Sequence, residues 1–298
     1  MKSPHRLSKV LALAALASAL LLTPAGIAIA ASGVVYDSTR TPLPSNVTSV
    51  GFEAASADEI GDDITFAAGS RNIQTVTITM SSWACQTGAW QSGDCVTTPG
   101  ATFTHPVTVN LYNVDRTGTS PVVGALIRSV TMTVIAPYRP SVSASCTGGK
   151  WADGAGQCFN GYAFNVDFDF AGVAVPNEII YGIAYNTHTS GNTPLAVTGP
   201  YDSLNVGLTG DGINAASAVP AVGTDMDSDV VFIDTATGGN TFIADTGWTG
   251  YTVAAKFTTV APPVLTAENC KNGGHLTLGF RNQGQCIASI VANDKSGK

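Results

Sequence analysis

Strand-length runs in which every second residue is apolar recur from Val34 to Phe257, and no trustworthy run of helical period interrupts them. Successive side chains of an extended chain point to opposite faces, so a period of two marks a half-buried strand. Thr75-Val76-Thr77-Ile78-Thr79-Met80 has this pattern, as do Val107–Tyr112, Val130–Val134 and Phe164–Phe170. Glu178–Tyr185 is more continuously apolar and is expected at the centre of a sheet. Val230–Ile233 and Val253–Phe257 add two more strands, and Gly, Pro, Asn and Asp clusters lie between the runs as turn signals. Many short strands separated by turns predict an all-β, jelly-roll-like two-sheet sandwich. Charged residues make up only 12% of the chain, which suits hydroxyl-rich strands better than Lys/Glu-rich helices.

The sandwich is expected over 31–260, because no linker-like segment divides that span. Ala261-Pro262-Pro263 reads as a boundary, since paired prolines end a strand. The remainder, 261–298, is too short to fold around its own core. It reads as a small Cys-bounded element, either a stapled hairpin or a short helical turn.

Six cysteines fall into three close couples: Cys85 with Cys95, Cys146 with Cys158, and Cys270 with Cys286. Each couple brackets a glycine-rich turn of the kind that brings two chain ends together. Nearest-neighbour disulfides are therefore expected, out of about 15 pairings that six cysteines permit. Zinc is the sharper alternative, but no C-x-x-C or H-x-x-x-H spacing supports it.

An even cysteine count fits an oxidising compartment, and the N-terminus agrees. Lys2, Arg6 and Lys9 precede an apolar run from Val10 to Leu22. Small residues follow at Ala28 and Ala30. That order is expected of a secretory signal over 1–30, cut after Ala30 or, as a close alternative, after Ala31. An uncleaved anchor is the competing reading. No Cys follows the run, which argues against a lipoprotein, and no second apolar span is seen. Losing the three basic residues takes the formal charge from -7 to -10. An acidic surface argues against nucleic acid and against anionic membranes, both of which require a basic footprint.

The succession Val34-Val35-Tyr36-Asp37, Ile64-Thr65-Phe66, Val76-Thr77-Ile78 and Ile179-Ile180-Tyr181-Gly182-Ile183 resembles that of a broad group of uncharacterised bacterial secreted proteins with jelly-roll-like sandwiches. Pro137-Tyr138-Arg139-Pro140 and Tyr201–Val206 look like signatures of a narrower set. Cys270–Gly274 with Gly279–Cys286 resembles a short C-terminal element of diverse exported proteins. The resemblance implies fold class and destination, and it implies no activity.

Candidate sites are few. Asp225, Asp227 and Asp229 alternate, so their carboxylates could converge on a hard cation such as Ca²⁺. An EF-hand is excluded, because its sixth and twelfth positions are Val230 and Ala236. A solvated acidic loop is the simpler reading, and no other cofactor is expected. His188, with Ser190, Ser203 and Asp202, could be matched to a triad, but no G-x-S-x-G elbow exists. His105, before Pro106, reads as structural. A glycosidase needs two facing carboxyls, with Glu53, Glu59, Glu178, Asp167, Asp169 and Asp202 available. Trp90 and Trp151 lie inside the stapled loops and could stack on a sugar, with Tyr201 and Asp202 as a polar rim. The competing reading caps the core with those rings.

The expected function is that of an exported, non-catalytic binding or structural protein, with carbohydrate or a cell-surface component as partner. The alternative is an exported hydrolase acting on polysaccharide.

Overall fold

A computed structural model describes residues 33–55, 57–118, 120–185, 204–213, 215–235, 241–260 and 266–296. The expected signal segment, His188, Tyr201, Asp202 and the Ala261–Pro263 boundary lie outside these residues. The chain divides into two compact units, one spanning Ala30–Pro262 and the other including Pro263–Lys298.

The first unit begins with β1 (Val34–Asp37), β2 (Thr48–Gly51) and a single turn of helix, α1 (Phe52–Ala55). There follow β3 (Ala57–Thr65), β4 (Asn72–Ser82), β5 (Thr102–Asp115) and β6 (Val122–Pro137). Two short strands, β7 (Trp151–Ala152) and β8 (Cys158–Phe159), precede β9 (Tyr162–Ala174), β10 (Glu178–Ala184) and β11 (Leu204–Gly210). The unit closes with β12 (Thr224–Asp225), β13 (Val230–Thr235), β14 (Ile243–Thr246), β15 (Tyr251–Val253) and β16 (Ala255–Thr259).

These strands form two large sheets and a small two-stranded one, β7–β8. One large sheet runs β1-β16-β4-β11-β15, with β2 added to β11 and β9 to β4. The other runs β14-β13-β3-β10-β5-β6, with β12 added to β3. All pairings are antiparallel. The architecture is an all-β, two-sheet sandwich.

Alternation sets the burial. Along β9, Val166, Phe168 and Phe170 are buried while Asn165, Asp167 and Asp169 are exposed. The outward groups pair with β4: Thr79, Thr77 and Gln74 donate to Asn165, Asp167 and Asp169 at 2.8, 2.6 and 2.7 Å. Asp167 and Asp169 are thus rungs of a polar cross-strand ladder. β10 is hydrogen-bonded by β3 on one side and β5 on the other, and Ile179 to Ile183 are all buried. Phe257 anchors the core, with Tyr36, Phe66 and Tyr181 edge-on at 5.9, 5.5 and 5.3 Å. His105 is a fully buried residue beside Tyr185, and burial holds its imidazole below the usual range.

Disulfides join Cys85 to Cys95 between β4 and β5, and Cys146 to Cys158 between β6 and β9. The two stapled loops are tied together by the strand end that follows β6. Val142 N–H donates to Cys95 O at 3.1 Å, and Arg139 Nη2 donates to Gly149 O at 2.6 Å. In the second unit, Cys270 is bonded to Cys286. This bridge links a 3-10 turn, Ala267–Cys270, to α3 (Gln283–Ser296), past the short α2 (Gly274–Thr277). The C-terminal element is helical, so the hairpin alternative falls away.

Candidate functional site

Two features of the sandwich bear on function: a buried group of carboxylates at β3, and an open cleft lined by aromatic and proline side chains.

The carboxylates gather because β3 has an interrupted edge. β10 pairs with β3 continuously from Glu59 to Thr65. On the opposite edge β12 takes Ile64 and Thr65, while β13 takes residues from Ala57 to Gly61. Asp62 and Asp63 therefore face a gap in the ladder. Their exposed backbone groups need partners, since buried unpaired amides are costly. Met226 N–H donates to Asp63 O at 3.1 Å, and Asp63 N–H is capped by Asp62 Oδ1 at 3.0 Å. Asp62 Oδ2 accepts from Val253 N–H at 3.1 Å. The Asp62 carboxylate thus patches one sheet and ties it to the other.

Asp225, at the end of β12, lies across this gap. One oxygen from each of Asp62, Asp63 and Asp225 falls within 4.8 Å of the other two. Asp225 Oδ2 accepts from Thr252 Oγ1 at 2.5 Å, and Oδ1 accepts from Asp227 N–H at 3.2 Å. Asp62 and Asp63 are both fully buried, and neither carboxylate oxygen of Asp63 has a hydrogen-bond partner.

Electrostatics follow from that crowding. Burial first, then the charges of Asp225, Asp227 and Glu178, push Asp63 up to about 7. Burial, then Asp225 and Asp63, raise Asp62 well above the carboxylate range despite its two backbone donors. Asp225 is also raised, chiefly by burial. Arg116 also feels Asp63, but its side chain is bonded to Glu178.

The sequence-predicted trio is rearranged accordingly. Asp225 joins Asp62 and Asp63, whereas Asp227 Oδ1 accepts Asp229 N–H at 3.3 Å within its own loop. Asp229 Oδ1 turns to Thr249, accepting its N–H at 3.2 Å and its hydroxyl. Alternation in the loop placed three carboxylates close in sequence, but a local Asx-type turn uses the second, and Thr249, distant in sequence, takes the third.

The cleft, about 530 Å³, lies between Thr97–Thr102 and the segment after β6. Tyr138, Tyr162, Pro99 and Pro140 line it. Both tyrosines are half-buried, and the Tyr138 ring packs 4.9 Å from Phe103. Ser141 Oγ, also at the wall, is committed to both the N–H and the carbonyl of Thr97. Among the described residues, no carboxylate and no histidine lines this cleft.

Of the two tryptophans expected to form a sugar platform, Trp151 is shut in and Trp90 is half-buried. Trp151 is 4% exposed, and its Nε1 donates to Gly161 O at 2.7 Å. Phe159 and Tyr162 pack against its ring. Its faces are filled, and the capping alternative describes it. Trp90 is half-buried and meets Trp83 edge-on at 4.8 Å.

A second acidic pair lies on β3 as well. Glu59 and Asp234 are directly opposed across the β3–β13 ladder. Glu59 accepts from Asn110 Nδ2 at 2.9 Å and from Tyr112 Oη at 3.0 Å. Burial raises its carboxyl against those two donors, and Asp234 adds to the rise. Glu178 is spent on its ion pair with Arg116.

No protein-family model, curated protein or solved structure matches the chain.

Proposed function

We propose that this chain is an exported, non-catalytic binding protein with a jelly-roll-like sandwich, and that carbohydrate is its first ligand class. The cleft carries the reading: Tyr138 and Tyr162 line it beside Pro99 and Pro140, with no carboxylate or imidazole on its walls among the described residues. Sugars stack on such rings through their apolar faces, and concave, mostly apolar sites bind small ligands best. Repeated crossing of the chain between sheets, from β3 to β4 to β5 and again from β9 to β10 to β11, supports the jelly-roll kind of winding. Export rests on the N-terminal sequence and is in keeping with the three disulfides.

The test is a glycan array with the processed protein, beside Tyr138→Ala and Tyr162→Ala. Retained binding by wild type, lost in both variants without a change in melting, is the expected result. Binding that survives both substitutions overturns the assignment of the cleft.

A hydrolase is the second reading, favoured by one observation: Glu59, raised by burial, stands opposite Asp234. Burial raises Asp234 as well, and two opposed carboxyls with displaced ionisation are the raw material of a general acid and its partner. Release of reducing sugar by wild type but not by Glu59→Gln would select this reading over the first.

A further inference from the structure

We propose that Asp62, Asp63 and Asp225 form a Ca²⁺ site that clamps the interrupted edge of β3. The acidic group alone would not carry this, since carboxylates gather on many surfaces without an ion. The independent observation is Asp63. It is fully buried, an oxygen of it converges on Asp62 and Asp225, and neither of its oxygens has a hydrogen-bond partner. A buried carboxylate with no donor lacks both water and protein compensation, and such a group demands a partner. Nearby, the phenol of the fully buried Tyr36 feels Asp62 first among the surrounding charges.

The geometry suits a calcium ion. Ca²⁺ takes oxygen ligands at about 2.3–2.6 Å, so two ligands on opposite sides lie up to about 5 Å apart. The three carboxylate oxygens lie within 4.8 Å of one another. The donors are all oxygen, which suits a hard cation; zinc prefers nitrogen and sulfur. The ion would also offset two of the three negative charges that ionised Asp62, Asp63 and Asp225 carry, where no basic side chain among the described residues is bonded to them. It would join β3 to β12 at the residues where the ladder of hydrogen bonds is missing.

The experiment uses the processed full chain, freed of metal with a chelator and returned to buffer at about pH 7.5. Terbium luminescence, sensitised through the neighbouring Tyr36 and Tyr181, reports binding directly. Calorimetry with CaCl₂ and MgCl₂, together with melting curves, gives affinity and selectivity. One Ca²⁺ per chain is expected, with terbium emission displaced by Ca²⁺ and a higher melting temperature in Ca²⁺. Asp63→Asn, nearly isosteric, should weaken Ca²⁺ binding by about tenfold or more, since affinity follows ligand charge. Asp229→Asn should leave it unchanged, because that carboxylate is turned to Thr249. The inference is overturned if wild type shows neither terbium emission nor a Ca²⁺-dependent melt. It is equally overturned if Asp229→Asn loses binding while Asp63→Asn keeps it. Should Asp63→Asn fail to fold, the wild-type terbium and calorimetric measurements decide alone. Sugar binding by the cleft is a separate readout, so the two proposals fail independently.

Discussion

Burial and hydrogen bonding decide what individual residues of this protein can do. Trp151 is a structural ring whose Nε1 is spent on Gly161 O. Trp151→Ala should cost about 3–5 kcal/mol in urea-induced unfolding, the usual penalty for deleting a buried large aromatic. An unchanged midpoint would show that the ring carries no packing. Glu59 gives a different signature. Its carboxyl is raised from the ordinary 4.5, first by burial, while Asn110 and Tyr112 oppose the rise. Below that ordinary value the native and unfolded chains both hold the proton, and the contribution is fully present. As pH rises, the unfolded chain releases its proton first, so this contribution is lost through the raised native value. Wild type should therefore lose stability relative to Glu59→Gln as pH rises above the ordinary 4.5 and through the raised native value. Parallel curves for the two proteins, measured in chelator, would assign Glu59 an ordinary titration.

At the level of elements, two pieces stand out: the stapled loops and the outer strand β6. The Cys85–Cys95 bridge spans a sequence separation of 10. Replacing both cysteines by serine should cost about 2–3 kcal/mol, read from the urea midpoint, because the unfolded loop regains its freedom. β6 is 16 residues long and ends its described sheet, with Leu126 54% and Ile135 69% exposed. A long apolar edge invites another strand, and a charge on it discourages that pairing. Arg128 is the only charged residue on β6. Arg128→Val should raise self-association measured by light scattering at matched concentration, with little change in melting. Equal scattering by both proteins would remove this role from Arg128.

For the whole molecule, the expected export can be checked by N-terminal sequencing of protein recovered outside the producing cells, which should begin at Ala31. A start at Met1 would contradict processing.

Much of the fold was legible in the chain and much of the site was not. The period of two in Thr75–Met80, Val107–Tyr112 and Phe164–Phe170 marks β4, β5 and β9; in β5 and β9 it also states which face is buried, whereas β4 buries Thr77 and Thr79 as well. The apolar run of β10 announces a central strand for the same reason. Glycine-rich brackets around each cysteine couple match the bridges found, since short loops need little else to close. The site differs because it depends on which strands are neighbours. Asp62 and Asp63 sit beside Asp225 only because β12 and β13 leave a gap opposite them on β3. The available sequence signal was two adjacent acids inside an otherwise apolar strand, Ile60–Ile64, where at least one had to be buried. In the same way, Tyr138 and Tyr162 line one cleft because the segment after β6 and the start of β9 lie beside Thr97–Thr102. Local side-chain periodicity is written along the chain, so the sequence by itself determined the strands and staples. Lateral strand order arises from long-range packing, so only the tertiary structure decided which carboxylates and which rings share a site.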